Sequence, residues 1–250
     1  MPVKEGKYIY CIIAADKYQI FGECGIGGRG DKLYTICFNE LAAVVSDSPV
    51  INYSVSKVNL LSHTKAIELV MGEFTVLPVR FSTIAEDENK VKKILEKEYD
   101  KFKSMITKLE GKKELGLKAV LNSDVIYKDI LEKHKDINML KKKLERSKAY
   151  NELVEIGEMV ENALEAEKEI YKEEILNTLS PLAEEISINK VFEKMMVLNA
   201  AFLVEKNREA KFDQNIHELD SKFSSKIKFK YVGTVPPFNF VNLKIETRNY

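Results

Sequence analysis

The chain has 250 residues, 45% of them hydrophobic and 31% charged, with 39 Lys plus Arg balanced by 39 Asp plus Glu. That composition predicts one large or two small globular domains with a buried core, and zero net charge excludes any general electrostatic ground for binding nucleic acid or acidic membranes. Three cysteines, Cys11, Cys24 and Cys37, without a CxxC pair argue against a disulfide framework or a thiolate metal centre and read as free thiols in a reducing cytosol. No signal pattern opens the sequence, and no apolar run approaches the roughly 18–20 residues needed to span a bilayer, so we expect a soluble cytoplasmic protein.

In chain order, Lys7–Ala15 (KYIYCIIAA) is β-branched and aromatic, and predicts a buried first strand. Gly22–Asp31 is a glycine-dense loop. The strand-like runs LYTICF and LAAVVS follow, separated only by Asn39-Glu40, which predicts a tight hairpin. Lys57–Met71 changes to a helical period. Leu60, Thr64, Ile67 and Met71 share one face with Leu61 and Val70 beside it, Ser56 is placed to cap the start, and Gly72 suits the end. FTVLPV then reads as a short strand interrupted by Pro78. A helix opened by Asp87 turns Val91, Leu95, Phe102, Met105 and Leu109 inward and stops at Gly111, before the strand LGLKAVLN. The order βββαβαβ with a hairpin argues for an α+β class.

From Ser123 to Ile186 the pattern is helical, with breaks allowed at Asn138, Ser147 and Asn151. Leu153, Ile156, Val160, Ala163 and Ile170 keep a 3–4 spacing, the seam of a paired helix or coiled coil. Lys128–Lys148 holds eight basic and four acidic residues, and Glu152–Glu174 nine acidic and two basic, so the two segments would attract if folded back on each other. Pro181 and Ser187 close this zone. ISINKVF and MMVLNAAFLV read as a strand pair, Asn207 as the cap of a helix burying Phe212, Ile216, Leu219 and Phe223, and KIKFKY as a strand with Ile227, Phe229 and Tyr231 inward. The ββαβ order and the TV…P…F ending (TVLPVRF, then TVPPFNF) occur in both halves. We therefore expect an N-terminal ferredoxin-like domain (1–121) and a C-terminal α+β domain (122–250) carrying an inserted long helical or coiled-coil hairpin at about 123–186.

Little in the chain points to catalysis. Gly25–Gly30 fits GxGxxG, but that motif holds a pyrophosphate when a helix follows it, and here a strand follows. His63 lies beside the apolar stripe of its helix with no carboxylate aimed at it, and reads as a packed histidine. HExxH, GxSxG and Walker patterns are absent, so no catalytic, metal or cofactor residues are assigned. Arg80, set between Val79 and Phe81, needs an anionic or carbonyl partner. An anion clamp and a structural latch both fit it. Pro78, Arg80, Phe81, Pro236, Pro237, Phe238 and Phe240 are the candidate partner-binding or domain-junction residues. Pro236 and Pro237 should bend the chain, and Phe238 and Phe240 should be buried.

KYIYCII, LSHTKAIELVMGEFTVLPVRFST, AYNELVEIGEMVENALE and YVGTVPPFNFV, in that order, resemble the gas vesicle protein GvpL/GvpF family. The last segment is similar to the family's G-P-W-P-P-Y-x-F-V, with Thr234 and Val235 in place of Pro-Trp and Phe238 in place of Tyr. The resemblance implies a ferredoxin-like N-terminal domain and a C-terminal α+β domain with an extended helical part. It also implies a non-enzymatic accessory or minor component of gas vesicles that binds the hydrophobic shell subunit GvpA, alongside other accessory gas vesicle proteins, early in assembly. Two alternatives from other classes are a small-molecule or nucleotide-binding module using the glycine loop and Arg80, and a scaffold that dimerises through the helical seam.

Overall fold

The computed structural model describes residues 4–147 and 150–247. Contacts divide the chain into two units, Met1–Glu114 with Thr234–Tyr250, and Leu115–Gly233. This division differs from the boundary read between residues 121 and 122. The strand through Leu115–Leu121 belongs to the second sheet, and the C-terminal segment is counted with the first unit.

The first unit is built on β1 (Glu5–Ala14), whose residues Tyr8–Ile13 are fully buried. β2 (Ile20–Glu23), β3 (Lys32–Phe38), β4 (Leu41–Pro49), β5 (Val76–Pro78) and β6 (Ile84–Ala85) complete an antiparallel sheet of order β2-β3-β4-β1-β5, with β6 also paired to β1. The β3–β4 hairpin turns at Asn39-Glu40, where Asn39 takes φ 51°, a left-handed conformation that asparagine tolerates. β2 is a short, largely exposed edge strand that the sequence pattern did not mark.

Helix α1 (Lys57–Met71) has the expected bounds, and Ser56 Oγ accepts from the Asn59 amide at 3.2 Å. Its inner face is rotated from the expected one. His63, Ala66, Ile67 and Val70 are buried, against a core of Tyr8, Tyr10, Ile13, Leu33, Ala42 and Val44. The helix expected from Asp87 is two helices, α2 (Glu88–Lys97) and α3 (Tyr99–Leu109), broken at Glu98 (φ −101°, ψ 12°). Asp87 caps α2 through the Lys90 amide at 2.8 Å. Ile106 is buried in α3, where Met105 had been expected to lead.

The second unit holds β7 (Lys112–Leu121), β8 (Ala183–Ile188), β9 (Met196–Glu205) and β10 (Ile227–Val235), in the order β10-β7-β9-β8. Its helices are α4 (Ser123–Lys133), α5 (Lys135–Ser147), α6 (Tyr150–Leu179) and α7 (Glu209–Phe223). The first break falls at His134 (φ −100°, ψ 86°), while Asn138 lies inside α5. The other two expected breaks differ in kind: Ser147 ends α5, and Asn151 lies inside α6. α7 buries Phe212, Ile216, Leu219 and Phe223 as its period predicts, but Asn207 sits in a 3-10 turn and makes no side-chain cap. In both sheets the first strand lies between the second strand of the hairpin and the strand that follows the next helix, β5 after α1 and β10 after α7 (β5-β1-β4-β3 and β10-β7-β9-β8). Among the described residues the protein thus combines two antiparallel sheets with seven helices.

Candidate functional site

The site is assembled on the edge of the first sheet. β5 and β6 both pair with β1, and the chain between them leaves the ladder. The excursion is held at both ends: the Val79 amide donates to the Tyr10 carbonyl, and the Ile9 amide donates to the Thr83 carbonyl, each at 2.9 Å. Between these anchors Arg80, Phe81 and Ser82 bulge off the sheet. Ser82 adopts φ 63°, a strained conformation for a side chain bearing a Cβ. Three bonds hold the turn: its amide donates to Tyr8 Oη (2.9 Å), its Oγ accepts from the Tyr53 amide (3.2 Å), and Thr83 Oγ1 donates to the Arg80 carbonyl (2.6 Å). Pro78 ends β5 opposite Cys11, an edge position where its missing N–H removes no ladder bond.

His63 ties this bulge to α1. The Val79 carbonyl can only accept, so His63 Nε2 carries the proton and donates to it at 3.2 Å. His63 Nδ1 then accepts from Tyr8 Oη at 3.1 Å. The hydroxyl of Tyr8 is thereby doubly used, as acceptor from Ser82 and donor to His63. Phe81 stands edge-on to both rings, at 5.7 Å from His63 and 6.4 Å from Tyr8. Burial lowers the His63 pKa to about 4, so the ring is neutral at physiological pH. Both its nitrogens are engaged, which is the packed-histidine arrangement.

The C-terminal segment forms the facing wall. The amides of Phe238 and Val241 donate to the Pro236 and Pro237 carbonyls (2.7 and 3.0 Å), so the proline pair does bend the chain. Buried Glu114 accepts from the Asn239 amide at 3.0 Å and from Asn239 Nδ2 at 2.5 Å, and burial raises its pKa. Glu114→Ala should therefore loosen this turn and cost about 1–2 kcal/mol in urea unfolding, while Glu114→Gln, which keeps an acceptor, should stay within about 1 kcal/mol of the parent. The expected burial of the two phenylalanines is corrected. Pro236 and Pro237 are buried, but Phe238 is 43% exposed and Phe240 is half-buried. Alternation puts Val241, Leu243 and Ile245 inward instead, and Phe238 lies on the outer side of the bend.

The two TV…P…F echoes therefore meet within one unit. Pro78–Phe81 and Phe238 with Val241–Lys244 line a groove of about 470 Å³ whose third wall is α1, through Leu60, His63 and Thr64. Arg80 is exposed at its edge and, among the described residues, pairs with no carboxylate.

The glycine loop is elsewhere, and several of its donors are engaged. The Gly25 amide donates to the Asp31 carbonyl (2.9 Å), the Ile26 amide to Tyr10 Oη (2.7 Å), and Arg29 pairs with Glu5 and Asp31. A phosphate would find these groups occupied. Along α6, Ile156 and Val160 are half-buried and Ala163 is buried, but Leu153 and Ile170 are 55% and 57% exposed. A heptad step from Ala163 leads to Ile170, but the buried stripe runs on in four-residue steps through Glu167, Tyr171 and Ile175. Among the described residues a charge pair of the expected kind forms, Lys133 to buried Glu167 at 2.5 Å.

Sequence periodicity missed a further feature. Val58, Leu61 and Leu69, at 73%, 48% and 47% exposure, form an apolar stripe on the outer side of α1, interrupted by exposed Lys65 between Leu61 and Leu69, with Val55 and Leu60 beside it. A helix apolar on both sides is normally covered on both. The signal was present in the sequence as too many apolar positions for a single face.

Comparison with known proteins agrees with this architecture. The family described as Gas vesicle synthesis protein GvpL/GvpF matches residues 6–242. Gas vesicle protein F of Dolichospermum flosaquae is 28% identical over 209 residues, covering 82% of this chain and 85% of that protein. Gas vesicle protein F of Haloferax mediterranei is 22% identical over 246 residues, 97% and 96% of the two chains. The crystal structure of GvpF from Anabaena sp. PCC7120 superposes with a TM-score of 0.80 at 26% identity, over 96% of this chain and 99% of that one.

Proposed function

The chain belongs to the gas vesicle GvpL/GvpF family, and from that premise we propose that it is a non-catalytic assembly factor that binds the hydrophobic shell subunit GvpA early in gas vesicle formation. The observation that carries this reading is the outer face of α1. Val58, Leu61 and Leu69 leave an apolar stripe in solvent on a helix whose other face is already packed. Before it joins a wall, a shell subunit exposes apolar surface and strand edges, and such surfaces aggregate. A stripe of this kind covers them without any chemistry. The protein would act in the cytoplasm at the growing vesicle, together with other accessory gas vesicle proteins; among the described residues no helix is long and apolar enough to cross a membrane.

The shared strand order of the two sheets supports reading each unit as ferredoxin-like, with α4–α6 as the enlarged first crossover of the second. The experiment is co-expression of this chain with GvpA. The reading expects GvpA to remain soluble in a complex that co-purifies with this protein. Equal GvpA insolubility with and without the chain, and no complex, would overturn it.

A further inference from the structure

We propose that the groove between α1 and the Val241–Lys244 segment takes an extended peptide of a partner protein, apolar on alternate side chains and bearing a carboxylate that meets Arg80. Three observations converge on that chemistry. The lining contains two cations, Arg80 and Lys244, and no carboxylate. Lys244 is already paired with Glu246 at 2.6 Å, whereas Arg80 pairs with no carboxylate among the described residues. An unopposed guanidinium at the rim of a cleft whose other charged group, Lys244, is already paired is complementary to a single carboxylate, which its fork can hold bidentately.

The second observation is the backbone. Val241, Leu243 and Ile245 are buried and Asn242, Lys244 and Glu246 exposed, the alternation of a strand, yet the segment belongs to no sheet. An extended visitor can lie along such a segment and bond to it as a strand bonds to an edge. The third is the floor. Leu60, Phe81 and Phe238 are apolar and at least partly open to solvent, and the volume of about 470 Å³ falls within the range of ligand clefts. His63 also lines the groove, but both its nitrogens are bonded, so its ring contributes shape and no free polar group. The inference deepens the assembly-factor reading by giving it a recognition mode, and rests on that reading only for the partner's identity.

The test is fluorescence anisotropy with the full chain and a labelled short peptide alternating valine and threonine around one central aspartate, alongside its asparagine counterpart. The aspartate peptide should bind saturably. The asparagine peptide and the Arg80→Ala variant should each lose about tenfold in affinity, and combining them should lose no more, because both remove the same contact. Thr64→Trp, which fills the groove from α1, should abolish binding of both peptides. Absence of saturable binding, equal affinity for the two peptides, or binding indifferent to Arg80→Ala and Thr64→Trp would overturn the proposal. Solubilisation of GvpA without peptide binding would sink this recognition mode and leave the assembly reading standing; peptide binding without GvpA solubilisation would do the reverse.

Discussion

Replacing Tyr8 by phenylalanine should lower the stability of the first unit by about 2–4 kcal/mol, although the aromatic ring stays in place. The side chain is fully buried, and its hydroxyl accepts from the Ser82 amide while donating to His63 Nδ1. Removing one oxygen leaves the part-buried Ser82 amide and the buried His63 Nδ1 without a partner. The Ser82 turn, already strained at φ 63°, loses one of the bonds that hold it. Urea unfolding followed by far-UV circular dichroism measures the loss. Tyr18→Phe, at a site 67% exposed, is the control and should be neutral. A Tyr8→Phe variant within about 0.5 kcal/mol of the parent would mean that the Tyr8–His63 bond is not what positions the Arg80 bulge.

The second large effect is on pH dependence. His63 has its folded pKa lowered from 6.5 to about 4 by burial. The unfolded chain therefore binds a proton below about pH 6.5 that the folded chain refuses until about pH 4. Stability contributed by neutral His63 is fully present above pH 6.5 and is lost as the pH falls toward 4, by up to about 3 kcal/mol. Glu114 acts in the opposite sense. Its pKa is raised by burial, so the folded chain takes up that proton first and this group adds stability as the pH falls. Measuring unfolding free energy across pH 4–7 for the parent and for His63→Leu separates the two. The variant should be less stable at pH 7, having lost two hydrogen bonds, but should lack the downward slope on acidification. An equally steep slope in both proteins would show that His63 does not carry it.

The parts of this structure legible from sequence are those fixed by local pattern. The hairpin at Asn39-Glu40, the bounds of α1 between Ser56 and Gly72, the inner face of α7 and the alternation of Ile227–Tyr231 each follow from spacing or a turn residue. What was missed depends on neighbours distant in the chain. The face of α1 was misjudged because the helix carries apolar residues on two sides, and only the sheet decides which side packs. The buried stripe on α6 leaves the expected seam after Ala163, continuing through Tyr171 and Ile175 where the neighbouring elements cover it. Phe238 looked like core, but the bonds from Asn239 to Glu114, 125 residues away, set the bend that leaves it outside.

Arg80 was visible as an anomaly but not as one that, among the described residues, pairs with no carboxylate. Its neighbours in sequence are apolar, which suggested an obligatory partner. The bulge instead carries it into solvent, where none is required. Gly233 of the same C-terminal signature has a packing reason that sequence alone does not supply. A Cβ there would lie 2.8 Å from Leu115 Cδ2, so the end of the Leu115 side chain would have to move aside.

The most direct test of the account is the amount of soluble GvpA recovered on co-expression with Val58→Glu, Leu61→Glu and Leu69→Glu combined in one chain. These side chains are exposed, so the variant should fold with a stability close to the parent's. The account predicts that it loses the ability to keep GvpA in solution while the parent retains it. A stably folded triple variant that solubilises GvpA as well as the parent would contradict the central claim that the outer face of α1 is the surface that covers the shell subunit.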